Sequence, residues 1–361
     1  MDHMPVIHVI IPVYKAEKYI AQTLDSVLAQ PYPNIEIVCV DDGSPDGSIF
    51  ILWEYEKMHE NIHEIQQENG GDSKARNTGI EYVLSRCADT DYIAFLDADD
   101  LWVKDVSAGF CDDLSGYPDF VGYQYVRCSE DLRSTAPASE FNAQQLPGGS
   151  KNVWCHLIQP FTAALYSCQL LRTYSVRFIE NLCYAEDHIF RNTCLFLAQQ
   201  IRLVDRVMYC YRINPASAMH HRKSGMDDKP DIIRGYLKTA VFLQPYENEQ
   251  RGSSKFCNIM AGVHAMEMAE EHYRKFRSAR SLERFLQENP NITETIRRLD
   301  RNDLSENHQQ LYDRYHSSPL RFRLRCYLEG LKQVTMDQLK KLPPIANRLY
   351  LKRFPIPNEY L

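Results

Sequence analysis

Three acids, Asp97, Asp99 and Asp100, close the short apolar run Tyr92-Ile93-Ala94-Phe95-Leu96. Carboxylates this close repel one another and lose hydration when partly enclosed, so a cation is their natural neutraliser. A hard divalent ion with few protein ligands, sharing a phosphate-bearing substrate, suits the set better than an all-protein calcium cage. The plain alternative is an acidic turn that caps a helix beginning near Leu101. A second acid pair, Glu186-Asp187, precedes Ile189-Phe190 and Leu195-Phe196-Leu197. That order predicts the first turn of a buried helix, where the macrodipole favours the ionised form. A carboxylate held there within reach of a hydroxyl can serve as a general base; the plain alternative is a pair of helix-start acids.

The elements that must carry these acids alternate. Residues 6–13, Val-Ile-His-Val-Ile-Ile-Pro-Val, read as a buried strand, with Pro12 marking where its pairing stops. Ile20, Leu24, Val27 and Leu28 recur at helical spacing until Pro31 and Pro33 end the helix. A second strand, residues 35–40, runs into Asp41-Asp42-Gly43-Ser44, where Ser44 or Asp46 can cap the helix through Ile51 and Leu52. A short strand over 62–66, a helix over 75–84 and the Tyr92 strand complete the pattern. Continuous apolar strands alternating with helices predict an α/β domain with a mainly parallel sheet, whose ligands sit beyond the strands' carboxyl ends. The first turn, Pro12-Val13-Tyr14-Lys15-Ala16-Glu17, has none of the glycines of a dinucleotide-binding Rossmann turn, and no Walker A loop is present.

The 361 residues allow a large core, with one large domain and an appendage or two domains. Charged residues at 25% and hydrophobic ones at 44% are those of a soluble globular chain. A net charge of -7 disfavours general nucleic-acid binding. The 11 cysteines form no Cys-X-X-Cys pair, which predicts reduced thiols and a cytosolic setting. No apolar run approaches membrane-spanning length, and the amino terminus lacks a signal-peptide core, so a protein neither exported nor membrane-spanning is expected.

Taken together, Ile11-Pro12-Val13-Tyr14, Val40-Asp41-Asp42-Gly43-Ser44, Asn69-X-Gly71-X-Ser73-X-Ala75-Arg76-Asn77-X-Gly79 and Phe95-Leu96-Asp97-Ala98-Asp99-Asp100 closely resemble the inverting, metal-dependent glycosyltransferases of family 2, with the GT-A fold. The resemblance continues through Leu165-Tyr166, Val176-Arg177-Phe178, Ala185-Glu186-Asp187 and Tyr209-Cys210-Tyr211-Arg212, with Ser217 beyond. It covers residues 5–225, taken as the catalytic domain; Lys15 departs from it, since the family commonly has Asn there. The resemblance implies a UDP-sugar donor, with a hexose or N-acetylhexosamine, and Mn²⁺ or Mg²⁺. It implies that Asp42 takes the imide N–H of uracil, that Pro12 and Tyr14 line the base pocket, and that Asp97 faces the ribose or a metal-bound water. Asp99 becomes the direct metal ligand, Arg76 a second positive charge near the phosphates, Asp187 the base and Glu186 its orienting neighbour. Arg212, Ser217, His220 and His221 fall in the segment that folds over the diphosphate in relatives, with His220 a candidate further ligand. The plain alternatives are a solvated Asx turn for Asp41 and Asp42, a helix-surface charge for Arg76, and solvated loop histidines.

From Met226 the strand pattern gives way to helical periodicity, as in Ile232, Ile233, Tyr236, Leu237, Ala240, Val241 and Leu243, which predicts a helical region over 226–361. Met260, Val263, Met266 and Met268 read as core. The basic stretch from Arg321 to Arg353 is a candidate contact with an anionic membrane face or a lipid-linked acceptor; the plain alternative is a docked helix with a solvated basic face. The expected activity is transfer of a sugar to a hydroxyl of a glycan, lipid-linked saccharide or protein in the cytoplasm. The alternatives are a nucleotidyltransferase, which the first turn does not resemble, and a non-catalytic glycan-binding scaffold, against which the retained Asp99 and Asp187 speak.

Overall fold

The computed structural model describes residues 4–130, 160–182, 185–213, 229–246 and 290–304, with shorter stretches between 132 and 147, between 258 and 288, and between 306 and 316. Ser217, His220, His221 and the basic stretch from Arg321 lie outside the described residues. The chain divides into two compact units, residues 1–223 with 238–255, and residues 224–237 with 256–361.

In the first unit, four parallel strands carry the site: β1 (Ile7–Val13), β2 (Ile35–Asp41), β3 (Ile62–Gln66) and β4 (Tyr92–Phe95). Their order is β3-β2-β1-β4, so the chain winds outward from β1 to β3 and then returns to the other side of β1. The reversal falls between β1 and β4, at whose carboxyl ends ligands bind in open α/β sheets. Helix α1 (Ile20–Leu28) buries Ile20, Leu24 and Val27 against the β1 face formed by Ile7, Val9, Ile11 and Val13. Fully burying one such side chain contributes about 1.5–3 kcal/mol. Helices α2 (Ser48–Met58) and α3 (Asp72–Leu84) make the next two crossovers. Gly79 lets α3 close on the other face of β1, since a Cβ there would lie 2.5 Å from Ile10.

Pro12 ends only half of the pairing expected of it. The ladder from β1 to β4 stops at Ile10, whereas that to β2 continues through Pro12 to Val13. The predicted helix near Leu101 is instead a two-residue strand, β5 (Leu101–Trp102), antiparallel to a later strand and bound to it through Tyr209 and Cys210. Neither Ser44 nor Asp46 is the cap of α2: the N-cap is Gly47, without a capping side chain, and Asp46 just before it accepts at Oδ1 from the Ser48 N–H at 3.2 Å and the Ser48 hydroxyl at 2.6 Å.

The sheet extends through strands that the apolar pattern did not announce. After the short helix α4 (Phe110–Asp113) come β6 (Phe120–Ser129), β7 (Thr135–Pro137), β8 (Gln144–Pro147), β9 (Ala164–Ser167) and, past helices α5 (Cys168–Thr173) and α6 (Glu186–Leu197), β10 (Gln200–Ile213). Strand β9 is antiparallel to both β4 and β6, and β6 is parallel to β10, whose register shifts near Val207. Among the described residues the result is a mixed sheet of ten strands.

Helix α7 (Lys229–Leu243) contributes residues to both units. The second unit is helical where described, with α8 (Pro290–Arg297) and α9 (Glu306–His316). Ile292, Ile296, Leu299, Leu304 and Leu311 are buried, and Arg301 makes a two-pronged ion pair with Asp313 at 2.7 and 2.8 Å. Val263, Met266 and Met268 are buried, and Met260 is half-buried.

Candidate active site

Four side chains gather beyond the carboxyl end of β4. Arg76, one turn into α3, donates from Nη2 to Asp97 Oδ1 at 2.8 Å. Its side chain is only 6% exposed, against 32% for Asp97. The guanidinium lies 4.8 Å from the Phe161 ring centre and 5.5 Å from that of Phe178. Burial alone would lower its pKa, but the charges of Asp97 and Asp72, the Asp97 hydrogen bond and the charge of Glu186 outweigh burial and raise it. Arg76 therefore stays cationic. Its Nε and Nη1 are buried without a hydrogen-bond partner among the described residues, which is uncommon for buried donors and marks sites of function or of bound ions.

Glu186 and Asp187 open α6, as expected, and both are half-buried. The preceding Ala185 takes a left-handed φ of 67°, an uncommon conformation for a residue with a Cβ. Burial first, then the neighbouring Asp187 charge, raises the Glu186 pKa, while Arg76 opposes the rise. Asp187 Oδ1 accepts from the His188 N–H at 2.7 Å. Arg76 is thus electrostatically linked to the strand-end acids on one side and the helix-start acids on the other.

The three acids after β4 separate by environment. Asp97 pairs with Arg76, and Asp99 is half-buried. Asp100 turns inward: its carboxylate accepts from the Tyr209 hydroxyl and, at 2.7 Å, from the Arg212 N–H. Burial and then the Asp99 and Asp97 charges push its pKa well above the ordinary value. Arg212 commits its guanidinium to the Asp99 carbonyl (2.7 Å), the Glu130 carbonyl (3.0 Å) and Gln22 Oε1 (3.0 Å), so it fixes the turn that carries Asp99. Among the described residues no group of three or more His, Cys, Asp or Glu side chains forms a metal cluster.

Asp42 stands just past β2 and is 3% exposed. Its carboxylate accepts from Gln67 Nε2 (2.6 Å), the Gly70 N–H (2.9 Å) and the Gly71 N–H (2.8 Å), while its carbonyl accepts from Asn69 Nδ2 at 2.9 Å. A carboxylate offers roughly four acceptor sites, so one direction remains. The Asn-X-Gly motif therefore docks on Asp42. Pro12 is buried and Tyr14 is 43% exposed, with the Lys15 ammonium 4.9 Å from its ring centre. Lys15 itself has a φ of 54°, a region asparagine enters more readily than lysine, so the backbone here suits the family's usual Asn and the Lys runs against it.

Residues to which the sequence reading assigns no role complete the site. Asn77 clamps Phe178, accepting from its N–H at 2.9 Å and donating to its carbonyl at 3.0 Å, and so holds the ring that Arg76 faces. Asn77, Phe178 and Tyr209 stand in the quoted motifs without a role there, and Phe161 and Gln67 lie outside them; each acts through a partner distant in sequence.

Residues 8–176 match the family model described as glycosyl transferase family 2. The uncharacterized glycosyltransferase EpsJ of Bacillus subtilis is 31% identical over 224 residues, 59% of this chain and 63% of that protein. The putative teichuronic acid biosynthesis glycosyltransferase TuaG of the same organism is 46% identical over 102 residues, 28% of this chain and 38% of that protein. The matches thus span less than two thirds of these curated relatives. In fold, the chain is similar to S. aureus TarS 1-349 in complex with UDP-GlcNAc, with a TM-score of 0.57 at 18% identity over 96% of this chain and 87% of that one.

Proposed function

This chain belongs to the family 2 glycosyltransferases, and from that premise we propose that it transfers a hexose or N-acetylhexosamine from a UDP-sugar to an acceptor hydroxyl, with inversion at the anomeric carbon. The observation that carries this reading is the buried Arg76, paired with Asp97 and facing the charge of Glu186. One cation thereby couples a donor-side acid to an acceptor-side acid. The UDP-GlcNAc bound to TarS, a protein of similar fold, supports the donor class, and the name of TuaG supports a growing saccharide as acceptor.

The acids fit a divalent cation that shares its coordination with a diphosphate: two carboxylates, Asp97 and Asp99, would hold it, and Mg²⁺-like ions keep few protein ligands. Bound Mn²⁺ or Mg²⁺ would offset the charge of the leaving diphosphate. Arg76 orients Asp97 and adds positive charge beside it. Arg212 steadies the Asp99 turn. Asp42 uses its remaining acceptor direction for the uracil imide N–H, with Pro12 and the exposed Tyr14 ring beside the base. Asp187 takes the proton of the acceptor hydroxyl, and Glu186, held between Asp187 and Arg76, orients it. Ser217 and His220, outside the described residues, belong to the segment that would cover the diphosphate. The basic stretch from Arg321 to Arg353, outside the described residues, is a candidate contact with an anionic membrane surface bearing a lipid-linked acceptor, the alternative being a docked helix with a solvated basic face.

Asp187→Asn preserves shape but cannot take the proton, and loss of a general base costs on the order of 10²–10⁴-fold in rate. UDP-sugar affinity with Mn²⁺ should stay at the parent level, and NMR of the parent's product should give the inverted anomer. Near-normal turnover would move the base to Glu186; a retained anomer would overturn single displacement.

A further inference from the structure

The opposite end of the parallel sheet holds a second cluster of reactive side chains, remote from the acids beyond β4. His8 stands near the amino end of β1 and Asp91 immediately before β4, with His8 Nε2 3.7 Å from Asp91 Oδ2. Cys87 lies in the turn after α3, half-buried, and the buried Cys168 opens α5, its N–H donating to the Asp91 carbonyl at 2.9 Å. From the same helix, Arg172 Nη2 reaches back to the Leu84 carbonyl (3.0 Å), the Cys87 carbonyl (3.1 Å) and the Cys87 sulfur (3.0 Å), while Nη1 pairs with Asp89. The half-buried Cys87 sulfur thus sits under a guanidinium carried by the helix that the enclosed Cys168 opens, and the two thiols are hydrogen-bonded to each other.

We propose that Cys87 and Cys168 form a peroxide-oxidisable dithiol, in which Cys87, held by Arg172, attacks and Cys168 resolves. The Cys87 thiolate bonds to one peroxide oxygen, the O–O bond breaks and hydroxide leaves, so the sulfur becomes a sulfenic acid as the peroxide is reduced. Cys168 then displaces that oxygen: the S–S bond forms, the S–O bond breaks, and the Cys168 proton leaves with the oxygen as water. The electrostatics agree with this division of roles. The Cys168 thiol hydrogen-bonds to Cys87 and lowers its pKa to about 7; burial opposes this, while the charge and hydrogen bond of Arg172, and then His8, add to it. Cys168 shifts the other way, through that same hydrogen bond and its burial. Thiolates beside cations are the reactive cysteines of proteins.

The test uses the full chain, reduced, freed of reductant and treated with a small excess of hydrogen peroxide, with peptide mass spectrometry as readout. A Cys87–Cys168 crosslink is expected. In Cys168→Ser, dimedone should instead trap a sulfenic acid on Cys87. Alkylation of Cys87 by iodoacetamide should follow a pH midpoint near 7, against about 8.5 for an ordinary thiol, and at pH 6 should outrun the exposed Cys111 by about threefold or more. Arg172→Met should move that midpoint upward. Oxidation that falls on Cys111 or joins the buried Cys128 and Cys210 while Cys87 stays reduced would overturn the proposal, as would a Cys87 sulfenic acid in the parent that never yields the disulfide.

Discussion

Neighbouring acids with the same side chain behave here as different chemical groups, because burial and partners divide them. Asp99 is half-buried at the mouth of the site, whereas Asp100 is 1% exposed and receives hydrogen bonds from Tyr209 and Arg212. A raised carboxylate pKa means that the folded state binds its proton more tightly than the unfolded one. Stability linked to Asp100 is therefore greatest at low pH and declines as pH rises from 3.8 toward its folded value. Asp100→Asn removes that ionisation, and its amide oxygen can accept from Arg212 while its NH₂ donates to Tyr209. Its unfolding free energy at pH 7 should lie within about 1 kcal/mol of the parent's by urea denaturation, with Mn²⁺-dependent UDP binding intact. Asp99→Asn should fold equally well yet bind UDP no better with Mn²⁺ than without it, as read by calorimetry. Equal metal dependence in both variants would remove Asp99 from the site.

At the scale of elements, the turn between β1 and α1 holds a local conflict. Lys15 adopts φ 54° while its N–H donates to Ser44 Oγ at 3.3 Å. A left-handed conformation costs an ordinary residue about 1–2 kcal/mol, most of which asparagine avoids, and the exposed cation–π contact of Lys15 on Tyr14 returns only about 0.5 kcal/mol. Lys15→Asn should therefore raise the unfolding free energy by about 0.5 kcal/mol in denaturant titration; a loss of stability would mean that the ammonium matters more than the backbone. The same contrast between local and distant causes decides what the sequence made legible. Strand β3, Ile-His-Glu-Ile-Gln, buries only Ile62 fully, whereas β1, β2 and β4 stood out because both faces are covered, which leaves nearly unbroken apolar runs. Strand β10 did not, since its register shifts near Val207 break the alternation, and β5 owes its existence to two residues of β10. Within the site, the acids at strand ends and at the helix start were legible from their positions. The inward turn of Asp100, the Asn77 clamp and the Asp99-holding role of Arg212 were not, because each rests on a partner about a hundred residues away.

At the scale of the whole molecule, the motifs shared with the family end near Arg212, but the compact unit that contains them does not. Residues 238–255 belong to it as well. Within that unit the ring of Tyr246 meets Tyr174 edge-on at 5.1 Å, and Ala240 and Leu243 are buried. An aromatic pair contributes about 0.5–1.5 kcal/mol beyond its burial, and one enclosed leucine about 1.5–3 kcal/mol. Tyr174 closes α5, the helix that packs behind β9 and carries Cys168 and Arg172. Removing its partner should loosen the sheet's support without touching an acid of the site. A fragment of residues 1–225 should therefore melt at least about 5 °C below one of residues 1–255, while the longer fragment keeps the parent's affinity for a UDP-sugar with Mn²⁺. Equal melting temperatures in differential scanning fluorimetry would mean that the catalytic unit is complete at residue 225 and that residues 238–255 lend it no stability.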